Sequence, residues 1–222
     1  MVKFESEDLN KNGEKTSVCE QLKSDFRECA LTKRGLFTKD DRVGYFDIFK
    51  ISENDFDDPN ALILDLGAGM QQEFAREVKK LGLKSKIISV DPRLGLSEEE
   101  DLSLLPKSER QERLEGRKNV QPMSVAATSE ALPFKEGSFD KIYALYSVPY
   151  YLKNSQEIKT TLEEMIRTLK SGGIIKAFPV DKNQIEAVKK IVSGISGIEF
   201  NATLKDKYND YGEDWLIEIK KK

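Results

Sequence analysis

Histidine is absent from all 222 residues. That single absence removes the Ser-His-Asp and Cys-His nucleophile systems and every metal site built on imidazole. Cysteine is scarce as well. Cys19 and Cys29 are the only two, too few for a thiolate cage, and no metal centre is expected. On the helix predicted to carry both they stand nearly three turns apart, beyond disulfide reach, which suits thiols of a reducing compartment. A basic excess is also missing: 36 lysines and arginines face 39 aspartates and glutamates, a net charge of −3. A broad nucleic-acid-binding face leaves the opposite imbalance, so nucleic acid is not an expected partner. No apolar run approaches the roughly 18–20 residues that cross a bilayer, and the first residues lack a signal-peptide core. The expectation is a soluble, cytoplasmic protein with no membrane span.

What is present is an alternation of buried runs and amphipathic stretches in a chain long enough for one domain with appendages. Residues 1–15 read as a polar arm. Ser17 with Glu20 forms a capping box ahead of Val18, Leu22 and Phe26, which predicts a helix over 17–31. Arg34-Gly35-Leu36-Phe37 follows, then an aromatic cluster of Tyr45, Phe46 and Phe49, and the acidic turn from Glu53 to Pro59. Residues 1–60 are therefore expected to be a helical and aromatic segment, either part of the core or a cap on the substrate side.

From residue 61 the pattern is strand, helix, strand, as a parallel sheet requires. Strands are predicted at 61–66, 86–90, 120–126, 139–146 and 174–180, and a terminal antiparallel pair at 198–204 and 215–219. The first helix puts Phe74, Val78 and Leu81 on one face before Gly82. Asn154 with Glu157 opens another, striped by Ile158, Leu162, Met165, Ile166 and Leu169 and stopped by Ser171-Gly172-Gly173. Asp181 with Gln184 opens a third. The charged excursion at 93–119 holds two capping boxes, Ser97 with Glu100 and Ser108 with Gln111, and so two short helices. The fold class is α/β: a Rossmann-like, seven-stranded, mostly parallel sheet with a C-terminal antiparallel hairpin and helices on both faces, spanning 61–222.

Open parallel sheets bind ligands at the carboxyl ends of their strands. Three such ends carry useful groups. The first strand ends in Asp65, Gly67, Ala68 and Gly69, where a glycine turn bares backbone and a helix N-terminus. The second ends in Asp91, whose carboxylate can accept both hydroxyls of a ribose. The third leads into Ala126-Ala127-Thr128-Ser129, small residues able to wall in an adenine ring.

Taken together the chain resembles the class I S-adenosylmethionine (SAM)-dependent methyltransferases, in the broad group that includes small-molecule and quinone methyltransferases. Leu64-Asp65-Leu66-Gly67-Ala68-Gly69 matches the family's first motif and Val90-Asp91 its acidic second strand end. Glu130-Ala131-Leu132-Pro133-Phe134 with Gly137-Ser138-Phe139-Asp140 matches the approach to strand four, and Leu169-Lys170-Ser171-Gly172-Gly173 the turn before strand five. The likeness covers about 61–180, with the terminal hairpin consistent to 219. It implies SAM as cofactor, with Asp65 and the Gly67–Gly69 backbone on the methionine moiety, Asp91 on the ribose, and Thr128 and Ser129 beside the adenine. It implies catalytic positions for Ser147 and Tyr150, facing the methyl group or a small-molecule acceptor.

The chain departs from the family pattern at four places. Gln71 replaces a third glycine, Thr128 replaces an acid, Tyr150-Tyr151 stand where histidines are frequent, and the 93–119 excursion is longer than a single helix. Two other readings share this architecture. A nicotinamide dehydrogenase would need G-x-G-x-x-G, and the chain reads Gly67-Ala68-Gly69-Met70-Gln71-Gln72. A catalytically silent SAM-fold protein would use the charged excursion to bind a protein partner.

Overall fold

The apolar run Leu62–Leu66 forms the strand about which the rest of the sheet is arranged. The computed structural model describes residues 8–9, 15–16, 44–118, 120–205 and 214–222. The helix expected at 17–31, both cysteines and Arg34–Phe37 lie outside the described residues. Asp8–Leu9 (β1) and Lys15–Thr16 (β2) form a small antiparallel ladder. The main sheet contains Leu62–Leu66 (β3), Lys86–Val90 (β4), Ser124–Val125 (β5), Phe139–Leu145 (β6), Leu169–Asp181 (β7), Ile198–Leu204 (β8) and Asp214–Lys221 (β9). Their spatial order is β5-β4-β3-β6-β7-β9-β8. β3 through β7 pair in parallel, and β9 joins β7 and β8 antiparallel. The strand order reverses at β3, so the crevice lies between the carboxyl ends of β3 and β6.

Two apolar layers cover the sheet. On one face Leu64, Val90, Ile142, Ala177 and Ile217 pack under the helices Ser155–Thr168 (α5) and Lys182–Ser193 (α6). On the other, Ile63, Ile87, Tyr143 and Phe178 pack against Tyr45–Phe49 (α1) and Glu73–Lys80 (α2). The aromatic cluster is thus part of a core: Phe49 and Phe56 are fully buried, and Lys176 Nζ donates to the Phe49 carbonyl at 2.8 Å.

Caps set the helix starts. The Asn154 carboxamide accepts from the N–H groups of Gln156 and Glu157, both at 3.0 Å, and Asp181 with Gln184 forms a reciprocal box. Ser97 with Glu100 does the same for Glu98–Ser103 (α3). The second box of the excursion does not form. Arg110–Lys118 (α4) is entered through a 3₁₀ turn at Lys107–Glu109 whose N-cap position is Pro106, two residues before Ser108, so that Ser108 lies inside the turn. Leu81 is not on the buried face either. It is the C-cap, 45% exposed. The expected strand at 120–126 shortens to two residues, and β7 begins at Leu169 rather than 174, running through the glycine pair. A Cβ on Gly173 would stand 2.9 Å from the Asp140 carbonyl, so only glycine lets β7 lie this close to β6 there.

Asp140 fastens the strands together. Its Oδ2 accepts from the Leu62 N–H and from Lys170 Nζ, each at 2.8 Å. Asp140→Ala is expected to lower stability by about 1–2 kcal/mol, read as a fall of a few degrees in thermal melting.

Candidate active site

Asp65 stands near the end of β3 and is fully buried. Tyr45 Oη donates to its Oδ1 at 2.6 Å, while Oδ2 is buried with no hydrogen-bond partner among the described residues. Burial pushes the carboxyl up to about 7; the Tyr45 bond opposes this and the charge of Asp91 adds to it. The tyrosine is held by packing, its ring stacked on Phe74 at 4.2 Å between centroids and 9° between planes. A buried carboxylate oxygen without a donor is costly.

The glycine turn is tightly built. Gly67 has φ +78°, and a Cβ there would fall 2.2 Å from Ser147 Cβ. Ser147 is delivered by Tyr146, which turns the chain off β6 at φ 48°, and its Oγ donates to the Leu66 carbonyl at 2.7 Å. Gly67 and Ala68 donate their N–H groups to the Val90 carbonyl at 2.8 and 3.0 Å, and Gly69 donates to Asp91 Oδ2 at 2.9 Å. These three donors are used inside the protein. What the loop offers a ligand is the absence of side chains, rather than the backbone donors expected from the motif. Gln71 turns to the excursion, where a Cβ on Gly116 of α4 would lie 3.5 Å from its side chain. Gln72, fully buried at φ 50°, ties the loop to β5: it donates to Ser124 Oγ and accepts from the Gln121 N–H.

Asp91 lies beside the loop at the end of β4 and is also buried. Arg93 grips it in a fork, with Nε on Oδ1 and Nη2 on Oδ2, both at 2.8 Å. Burial pushes this carboxyl up, but the charge and hydrogen bonds of Arg93 outweigh it and hold the group below the usual carboxylate range. Behind Arg93 the excursion places Asp101 between Arg117, at 3.3 Å, and Arg113, at 3.8 Å. Asp101 Oδ1 and Arg113 Nη1 are buried without hydrogen-bond partners among the described residues.

The remaining expected residues follow β5 and β6 in the chain. Thr128 is half-buried in the turn after β5. Ser129 Oγ is within 3.1 Å of Thr161 Oγ1 on α5 and 3.2 Å of Glu130 Oε2, so its hydroxyl is directed toward that helix. Leu132-Pro133-Phe134 is clamped by α5: Glu164 accepts from the Leu132 N–H at 3.0 Å, and Arg167 donates to the Phe134 carbonyl at 2.8 Å. Tyr150 is half-buried and meets Tyr151 edge-on at 5.1 Å. Sequence reasoning did not find Tyr45, Gln72 or Arg93 as site residues. A buried acid followed two residues later by arginine was the available signal for the last.

A doubly wound sheet in this strand order, with a glycine turn after its central strand and an acid at the end of the next, defines the Rossmann-like methyltransferase fold. The chain belongs to the ubiE/COQ5 methyltransferase family, which matches residues 45–196. It is 29% identical over 151 residues to the demethylmenaquinone methyltransferase of Lactococcus lactis subsp. lactis (strain IL1403), a match covering 65% of this chain and 54% of that protein. The chain thus spans about half the length of that curated relative. Among solved structures, the N-methyltransferase NodS of Bradyrhizobium japonicum WM9 in complex with S-adenosyl-L-homocysteine is similar at a TM-score of 0.54 and 11% identity, over 89% of this chain and 98% of that one. The 1,6-didemethyltoxoflavin-N1-methyltransferase of Burkholderia thailandensis is similar at 0.54 and 17%, over 90% and 87%. At those identities the likeness is one of fold.

Proposed function

We propose that the protein is a SAM-dependent methyltransferase acting on a small-molecule acceptor. The observation that carries this reading is Asp65 Oδ2, a buried carboxylate oxygen without a partner among the described residues, beside a glycine turn. Such an atom fits the α-ammonium of an amino acid, and membership of the methyltransferase family supports the same assignment. Asp65 would hold the methionine end, Asp91 the ribose, and the turn through Thr128 and Ser129 the adenine.

SAM, when bound, supplies a sulfonium methyl group open to in-line displacement. The protein's own contribution is alignment and exclusion of water. Ser147 acts as a positioning residue, since its hydroxyl and Cβ brace Leu66 and Gly67. Tyr150, the segment before residue 61 and the 93–119 excursion would form the acceptor surface. An oxygen acceptor needs a proton acceptor as well; without histidine that base is a carboxylate, a tyrosinate or water, whereas a neutral amine or an ionised acceptor needs none. None of the described helices is long and apolar enough to cross a membrane.

S-adenosylhomocysteine is expected to raise the melting temperature and NADH to leave it unchanged. At a hundred times its dissociation constant a ligand adds about 2.7 kcal/mol, or roughly 5–10 °C for a chain of this length. A shift with NADH alone, or with neither compound at millimolar concentration, overturns the reading.

A further inference from the structure

The carboxylate of Asp91 has no acceptor position left. Oδ1 takes the Arg93 N–H at 2.9 Å and Arg93 Nε at 2.8 Å. Oδ2 takes the Gly69 N–H at 2.9 Å and Arg93 Nη2 at 2.8 Å. A carboxylate offers about four lone-pair positions, and these four donors fill them. Two of the donors are backbone groups fixed by the turn. The other two sit on the end of one flexible side chain. A ribose diol brings two O–H donors, and they can reach Asp91 only where the guanidinium now lies.

We infer that Arg93 is a tethered competitor for the nucleoside: it holds both oxygens of Asp91 and gives up that position when the ribose binds. The inference rests on the methyltransferase reading above. The excursion provides an acceptor for the displaced group. Asp101 is buried, its Oδ1 has no hydrogen-bond partner among the described residues, and its negative charge already acts on Arg93. Arg93 also lies in the 3₁₀ turn Pro92–Gly95 that opens the excursion, so its movement passes directly into the segment that carries α3 and α4. Cofactor affinity is therefore set in part by a residue that need not touch the bound cofactor. The exchange is specific to a vicinal diol, because a single hydroxyl replaces only one of the two guanidinium donors.

The test is isothermal titration of the full-length chain with S-adenosylhomocysteine, paired with thermal melting of the ligand-free protein. Arg93→Met keeps the length of the stem and removes both donors. It is expected to bind about tenfold more tightly than wild type, since a charged bidentate contact no longer has to be broken. Its ligand-free melting temperature is expected to fall, because Asp91 is then buried without its cation. Affinity and stability move in opposite directions, which a mere brace would not produce. Arg93→Lys, whose ammonium cannot fork across both oxygens, is expected to bind a few-fold more tightly and carries the test if the methionine variant does not fold. Binding that is weakened or unchanged in folded variants overturns the inference and leaves the methyltransferase reading intact. Failure of wild type and variants alike to bind overturns that reading, and the inference with it.

Discussion

Asp65→Asn is expected to abolish most of the affinity for S-adenosylhomocysteine, about ten- to a hundredfold by the usual worth of a buried charged contact, while the protein stays folded. The two halves of that result have one cause. Burial raises the Asp65 carboxyl to about 7, well above its range in an unfolded chain. Between about pH 4 and 7 the native protein therefore binds a proton that the unfolded chain has released. The stability this provides is fully present below the unfolded value and is lost as pH rises through about 7. At pH 8 the wild type holds a buried, half-satisfied carboxylate that the asparagine variant lacks. The variant's ligand-free melting temperature at pH 8 is thus expected to equal or exceed that of wild type. A cationic amine beside Asp65 favours the ionised form, so wild-type affinity is expected to climb roughly tenfold from pH 5.5 to 7, with the variant flat over the same range. Calorimetric titration at the two pH values checks this. A pH-independent wild type would remove Asp65 from contact with the amine.

The central sheet was legible because β3 and β4 are short, largely apolar runs whose ends are marked by Asp65, Asp91 and glycines. Lys86–Val90 falls where the pattern placed it, and the Asn154 and Asp181 caps act as their spacing implies. Errors arose where local pattern competes with geometry. Leu81 shares a helical face with Phe74 and Val78 but is the cap, already leaving the axis. Ser108 matches a box, yet Pro106 ends the preceding chain direction first. The site was legible in its acids and glycines and illegible in what satisfies them. Tyr45 reaches Asp65 from twenty positions upstream, and an aromatic in an apolar cluster reads as packing. Gln72 reads only as a missing last glycine of the dinucleotide pattern, whereas its amide joins the loop to β5. The Arg93 fork depends on a side-chain rotamer, which no periodicity encodes.

Gly67→Ala tests whether the turn is built around Ser147. Two costs combine. At φ +78° an alanine is strained, by about 1–3 kcal/mol. Its Cβ would also overlap Ser147 Cβ at 2.2 Å, in a place where the serine is anchored to the Leu66 carbonyl and cannot retreat, and overpacking of that kind adds about 1–3 kcal/mol. The single variant is expected to lose about 10 °C in melting temperature and its response to S-adenosylhomocysteine. Ser147→Gly alone gives up one buried hydrogen bond, about 1 kcal/mol. In the double variant the overlap is gone and only the backbone strain and that lost bond remain, so it is expected to be more stable than Gly67→Ala alone. Residues in contact are where such non-additivity is found. If the two losses simply add, Ser147 is not what Gly67 must avoid. If the double variant regains stability and also binds ligand, Ser147 contributes no indispensable hydroxyl to cofactor binding. Its place beside the crevice would then be explained by the turn it holds shut.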